Sequence, residues 1–174
     1  MRKIEFKALD PKDMSHKQTF EKLMLLYIAE LNGHSERPLP EQYRQKWINS
    51  IIDSLGAADR HLELCFLEGS AVGFLFGKVD HAGDKGFIKP GYGYIMEFYV
   101  SPEYRRLGIG RGMFGRLEAL FAVDGAKMMY LTADPVTGRP FWEALGFVRT
   151  GEVSSENGLN IYEREVFGGT NEFF

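Results

Sequence analysis

Arg105, Arg106 and Arg111 flank Gly108 and Gly110 at the point where an apolar run ending at Val100 gives way to a helical pattern. The chemistry open to such a group is the binding of phosphate. The first four backbone N–H groups of a helix have no intrahelical partner, and the macrodipole adds roughly half a positive charge at that end. Gly108 and Gly110 lack a Cβ, so they allow positive φ and let the main chain approach phosphate oxygens. Guanidinium forks match phosphate geometry better than a point charge does. Gly110-Arg111-Gly112-Met113-Phe114-Gly115 is also a literal G-x-G-x-x-G, with Asp134 about 20 positions on, as in dinucleotide-binding folds. The spacing argues against that use. Ser101 to Ile109 stand between the strand and the first of these glycines, and Gly112 and Gly115 fall inside the helical pattern.

A second chemical group sits just upstream. On an alternating strand Glu97 and Tyr99 share one face, opposite Phe98 and Val100. A carboxylate in an apolar run is costly unless it has a use or a partner. Glu97 is therefore either a general base or one half of a salt bridge to an arginine.

With these residues in place, the sequence resembles the GNAT superfamily of N-acetyltransferases. Arg105-Arg106-Leu107-Gly108-Ile109-Gly110 matches that family's acetyl-CoA signature, R or Q-x-x-G-x-G or A at a helix start, and Val100-Ser101-Pro102-Glu103-Tyr104 matches its usual lead-in. Phe141-Trp142-Glu143-Ala144-Leu145-Gly146-Phe147 matches a second hallmark, an aromatic pair followed by three residues and Gly-Phe. The resemblance covers roughly Leu62 to Val166.

The resemblance implies acetyl-CoA as cosubstrate. It implies a site in which Phe98, Tyr99 and Val100 offer backbone groups to the pantetheine arm, while Arg105, Arg106, Leu107, Gly108, Ile109, Gly110 and Arg111 hold the phosphates, with Trp142 alongside. One N–H of the strand would face the thioester oxygen, a kind of donor worth ~3 kcal/mol in acyl transfer. Glu97 stands where many members carry the glutamate that drains the amine's proton. The family's usual acid, a tyrosine four residues before the glycine of the second motif, is here Trp142, whose indole does not titrate in water. Tyr130, Tyr99, Tyr104 or a water could replace it. A thiol of pKa near ~8.5 also leaves readily as thiolate without help.

These residues need elements to hold them. Lys3 to Leu9 alternate as a first strand, stopped by Asp10-Pro11. Phe20, Leu23, Met24, Tyr27, Ile28 and Leu31 lie at helical spacing over Lys17 to Leu31, with Asn32-Gly33 expected to end the helix in an αL conformation. A second helix runs from Glu41 to Leu55 on Tyr43, Trp47, Ile48, Ile51, Ile52 and Leu55. In the family this helix pair borders the acceptor site, although each aromatic taken singly reads as ordinary core. His61–Leu67 and Ala71–Val79 form a hairpin across Glu68-Gly69-Ser70. Asp80 to Gly93 is a long connection. It holds Asp80, His81 and Asp84, but the four histidines are scattered, so a solvated loop is expected in place of a metal site. Gly108, Gly112 and Gly115 form one smooth helix face beside the apolar stripe of Met113, Leu117, Leu120 and Phe121, which predicts tight packing on a sheet. Lys127–Thr132 is a short strand, Pro140 starts a short helix closed by Gly146, and Phe147–Val153 pairs antiparallel with Leu159–Phe167.

Composition narrows the class. The chain has 174 residues and a formal net charge of −3, which gives no global basic field for nucleic acid. The single cysteine, Cys65, sits in an apolar run and reads as core, consistent with a reducing cytoplasm. The charged N-terminus is followed by no apolar segment, and no window approaches the ~20 apolar residues of a spanning helix. The expectation is one mixed α/β domain over residues 1–167 with a loose tail over 168–174. It would have a mostly antiparallel sheet of six to seven strands with helices on both faces, acting on an amine of a small molecule or peptide. A homodimer stays open, and a non-catalytic acyl-CoA sensing module is the alternative reading.

Overall fold

The computed structural model describes residues 2–136 and 138–168; most of the expected C-terminal tail lies outside them. In chain order the elements are β1 (Ile4–Ala8), α1 (Met14–His34), α2 (Glu41–Asp53), β2 (Arg60–Leu67), β3 (Ser70–Val79), β4 (Gly93–Val100), α3 (Ile109–Val123), β5 (Met128–Thr132), α4 (Gly138–Ala144), β6 (Val148–Val153) and β7 (Asn160–Glu165). The strands form one seven-stranded sheet in the order β1-β2-β3-β4-β5-β7-β6. This is a mixed α/β fold. By packing the chain falls into two compact units, Met1–Phe76 with Glu97–Met113, and Gly77–Met96 with Phe114–Phe174.

In the first unit, α1 starts earlier than the apolar spacing indicates, because the Asp13 side chain caps it by accepting the His16 N–H. It also ends later. Gly33 stays helical and the helix runs to His34, against the expected αL stop. Asn32 does another job: its amide accepts from Leu39 N at 2.8 Å and donates to Leu39 O at 3.3 Å, tying the linker back to the helix. Phe20, Leu23, Met24 and Ile28 of α1 are buried, as are Ile48, Ile51 and Ile52 of α2. β1 pairs antiparallel with β2 from Ile4↔Leu67 to Ala8↔Glu63. The β2–β3 turn needs only Glu68 (φ 49°) and Gly69 (φ 85°), both left-handed as a two-residue hairpin requires. Cys65 is fully buried and its thiol is pushed up to about 12 by burial, which suits a core residue and no nucleophile. Gly73 lets β3 lie against β4, since a Cβ there would stand 2.2 Å from the Tyr99 carbonyl oxygen.

In the second unit the close approach of α3 to the sheet is made by glycines on the strands, not by those on the helix. A Cβ on Gly93 would lie 2.5 Å from the Phe121 ring, and one on Gly77 would lie 2.8 Å from it. The glycine face expected to pack looks outward: Gly108, Gly112 and Gly115 are exposed, and Gly115 has nothing within 4 Å of its Cβ position. The reason is hydrophobic competition, because Met113, Phe114, Leu117 and Phe121 turn inward and leave the side without apolar surface to solvent. β5 runs parallel to β4 through Gly93↔Met129 and Tyr94↔Tyr130, and antiparallel to β7. β6 and β7 pair antiparallel with an irregularity between Arg149 and Val153.

The connection after β3 is exposed along much of its length, yet it is anchored from within. Asp80 is fully buried. Its carboxylate accepts from Lys89 N at 2.8 Å and from the Tyr130 hydroxyl, and it lies 3.2 Å from the Lys78 ammonium, which also reaches Asp84 at 3.2 Å. Its carbonyl accepts from Gly91 N and its own N–H donates to Tyr92 O. Lys89 bridges to Glu152 at 2.9 Å and to Glu163. One buried carboxylate thus organises the loop from inside, and no feature of a local glycine-rich stretch announces it. No described helix is long and apolar enough to cross a membrane.

Candidate active site

The chain leaves β4 through a turn fixed at several points. Ser101 N donates to Val72 O at 2.8 Å, and Pro102–Tyr104 form one 3-10 turn. Arg105 donates from Nε to Val100 O at 2.8 Å and from Nη2 to Glu30 at 2.7 Å, with its guanidinium 5.7 Å from the Tyr99 ring centre. Its fork is therefore occupied in holding the turn against α1, and the Val100 carbonyl is taken. Arg106 and Arg111 are exposed and make no hydrogen bond or ion pair with the described residues.

The two left-handed residues of this turn are Arg106 (φ 63°) and Gly108 (φ 83°); Gly110 is helical. Gly112 N donates to Gly108 O at 3.1 Å, so Gly108 stands at the cap of α3 and the N–H groups of Ile109, Gly110 and Arg111 precede the first intrahelical bond. A glycine cap brings no side-chain oxygen to satisfy them. Donors at a helix start, with exposed Leu107 and Gly108 and two unpaired arginines beside them, make an anion cradle.

Glu97 lies in the same unit. Its carboxylate accepts a short hydrogen bond from the Tyr27 hydroxyl, in place of the arginine partner that the sequence left open. Burial raises its pKa to about 7, and the Tyr27 hydrogen bond opposes part of that rise. Tyr27 packs at 5.5 Å from the Tyr99 ring, 5.8 Å from Phe74 and 6.3 Å from Trp47. A carboxyl that titrates near neutrality amid aromatic rings can exchange a proton with an amine. Sequence reasoning placed Tyr27 only on an apolar stripe; a hydroxyl on an otherwise hydrophobic helix face was the one signal available. Burial also raises the Tyr99 pKa, while Phe98 is partly exposed.

The second motif lies in the other unit. Trp142 is buried among Phe114, Phe141 and Phe147, with ring centres 6.1, 4.8 and 5.4 Å away, so its bulk serves a hydrophobic cluster. Tyr130 is fully buried and its hydroxyl donates a hydrogen bond to Asp80; burial and that carboxylate push its pKa far up. It is unsuited to donate a proton to a leaving group.

Residues 21–147 match the sequence profile described as the Acetyltransferase (GNAT) family. No curated protein sequence matches at a significant level. Among solved structures, the PaiA N-acetyltransferase of Thermoplasma acidophilum in complex with coenzyme A is 19% identical, with 94% of this chain and 99% of that chain covered at a TM-score of 0.68. An aminoglycoside 6'-N-acetyltransferase complexed with coenzyme A is 14% identical, with 94% and 97% covered at 0.69. Ard1 from Thermoplasma volcanium is 18% identical, with 94% and 98% covered at 0.63. At these identities the likeness is one of fold.

Proposed function

Because the chain belongs to the acetyltransferase (GNAT) family, we propose that it is an N-acetyltransferase in which Glu97 takes the proton from an amine acceptor while acetyl-CoA is held at the start of α3. Acyl transfer is the family's activity; the amine and the role of Glu97 are the parts inferred. The single observation that carries them is Glu97 itself, a carboxyl on β4 with its pKa near 7 and its position fixed by Tyr27.

The residues present fit the cosubstrate. The N–H groups of Ile109, Gly110 and Arg111 and the exposed Arg106 and Arg111 would hold its phosphates, with Phe98, Tyr99 and the N–H of Val100 along its arm. When bound, acetyl-CoA supplies an activated acetyl group whose thiolate is an able leaving group. Direct transfer with both substrates bound requires the acceptor as free amine, and an amine arrives at neutral pH as ammonium. Glu97, ionised above about 7, removes that proton directly or through one water. No tyrosine of the chain is assigned as acid, since Tyr130 is committed to Asp80. The aminoglycoside acetyltransferases among the structural relatives support a small-molecule amine as acceptor.

The test is acetyl-CoA consumption against a panel of amines. Glu97→Gln should lower kcat by ~10²-fold or more while leaving CoA affinity intact. Full activity of Glu97→Gln on the best amine would remove the base assignment.

A further inference from the structure

Three side-chain atoms among the described residues are buried without a hydrogen-bond partner: Asp80 Oδ1, Arg164 Nη1 and Arg44 Nε. Buried polar atoms in this condition call for a specific explanation. The first two have one, because Asp80 Oδ1 lies 3.2 Å from the Lys78 ammonium and Arg164 Nη1 lies 3.4 Å from Glu118. Arg44 has neither a hydrogen bond nor an ion pair with the described residues. Its Nε is buried while the residue as a whole is partly exposed, so the side chain spans from the interior toward solvent.

Its place in the fold gives that charge a use. Arg44 is in the first turn of α2, three residues before Trp47 and four before buried Ile48, hence on the inner side of the helix. Trp47 packs on Tyr27, and Tyr27 holds Glu97. Arg44 is thus one helical turn from the aromatic group around the candidate base. A guanidinium fork with no protein partner matches a carboxylate, which it can bind through two parallel hydrogen bonds.

We propose that Arg44 is a specificity residue for the acceptor, binding a carboxylate carried by the same molecule that presents its amine to Glu97. The acceptor class is then an amino acid or short peptide, not a polycation. This rests on the acetyltransferase reading above.

The experiment compares matched acceptors that differ only in the carboxylate, lysine against cadaverine and ornithine against 1,4-diaminobutane, with wild type, Arg44→Gln and Arg44→Lys. The wild type should prefer the carboxylate-bearing member. Arg44→Gln should raise KM for that member at least tenfold, with kcat, the KM of the decarboxylated member and CoA affinity unchanged, and Arg44→Lys should recover part of the loss. Binding of the same acceptors to the CoA complex, followed by tryptophan fluorescence, gives a readout independent of turnover. If binding shows the Arg44-dependent preference but nothing is acetylated, the carboxylate subsite stands and the acetyltransferase reading fails. Equal KM and equal binding for both members of each pair, or a preference that survives Arg44→Gln, overturns the proposal.

Discussion

The Tyr27 hydroxyl on α1 donates to the Glu97 carboxylate on β4, joining residues 70 apart in sequence. Burial raises the Glu97 pKa and this bond holds part of the rise back. A hydrogen bond to a charged group contributes ~1.5–3 kcal/mol, so its loss corresponds to about one to two pH units. Tyr27→Phe should therefore move the acidic limb of the kcat/KM profile from about 7 to higher pH, by that amount. An unmoved limb would mean that another group limits activity at low pH.

The same carboxyl affects stability. Its folded-state pKa is about 7 against an ordinary 4.5, so the folded protein keeps a proton that the unfolded chain releases between those values. The stability this contributes is full below about 4.5 and is lost as pH rises through about 7. Glu97→Gln cannot ionise and should flatten that slope, leaving the variant more stable than wild type above pH 7. Denaturant unfolding at pH 5 and pH 8 measures the difference.

Arg106 combines an exposed charge with a left-handed backbone at φ 63°. Arg106→Gly removes a strain of about 1 kcal/mol together with the charge. The unliganded variant should melt at a higher temperature, yet bind CoA more weakly at low salt. The affinity gap should shrink as salt rises, because partly exposed phosphate contacts are screened over ~8 Å at physiological ionic strength. Titration of CoA at two salt concentrations, with a thermal melt of the free protein, separates the two effects.

Gly73→Ala should be among the most damaging single changes in the first unit. Its Cβ would meet the Tyr99 carbonyl at 2.2 Å, a backbone atom that cannot swing aside. The expected cost is about 3 kcal/mol or more, seen as a lower denaturation midpoint. Activity should fall with it, since β4 also carries Glu97.

Asp80→Ala strands the Lys78 ammonium, which is only 6% exposed, without its innermost counter-charge. Breaking one side of a buried pair costs about 3–5 kcal/mol. The segment Asp80–Tyr92 also loses the acceptor for Lys89 N and the Tyr130 hydroxyl. Limited proteolysis should then cut within this segment, while Tyr130→Phe, which removes a single hydrogen bond, should leave it far better protected.

Local chemistry determined what the sequence made legible. The proposed phosphate turn is written in adjacent residues, Arg105 to Gly110, because a helix start, a glycine and a guanidinium act over a few ångströms of contiguous chain. The strands and helices follow in the same way from the spacing of apolar residues, with misplaced ends such as that of α1, where the Asn32 side chain was engaged elsewhere. Partnership across the fold is of another kind. Nothing near Glu97 in sequence names Tyr27, nothing in the Asp80 loop names Tyr130, and the division of labour among Arg105, Arg106 and Arg111 depends on Glu30, which lies on a different helix. Those pairings fix the pKa of the candidate base, the order of a long loop and which arginines remain open to a ligand. They arise only when burial removes water and a charge must find its partner in space, so the tertiary structure alone decided them.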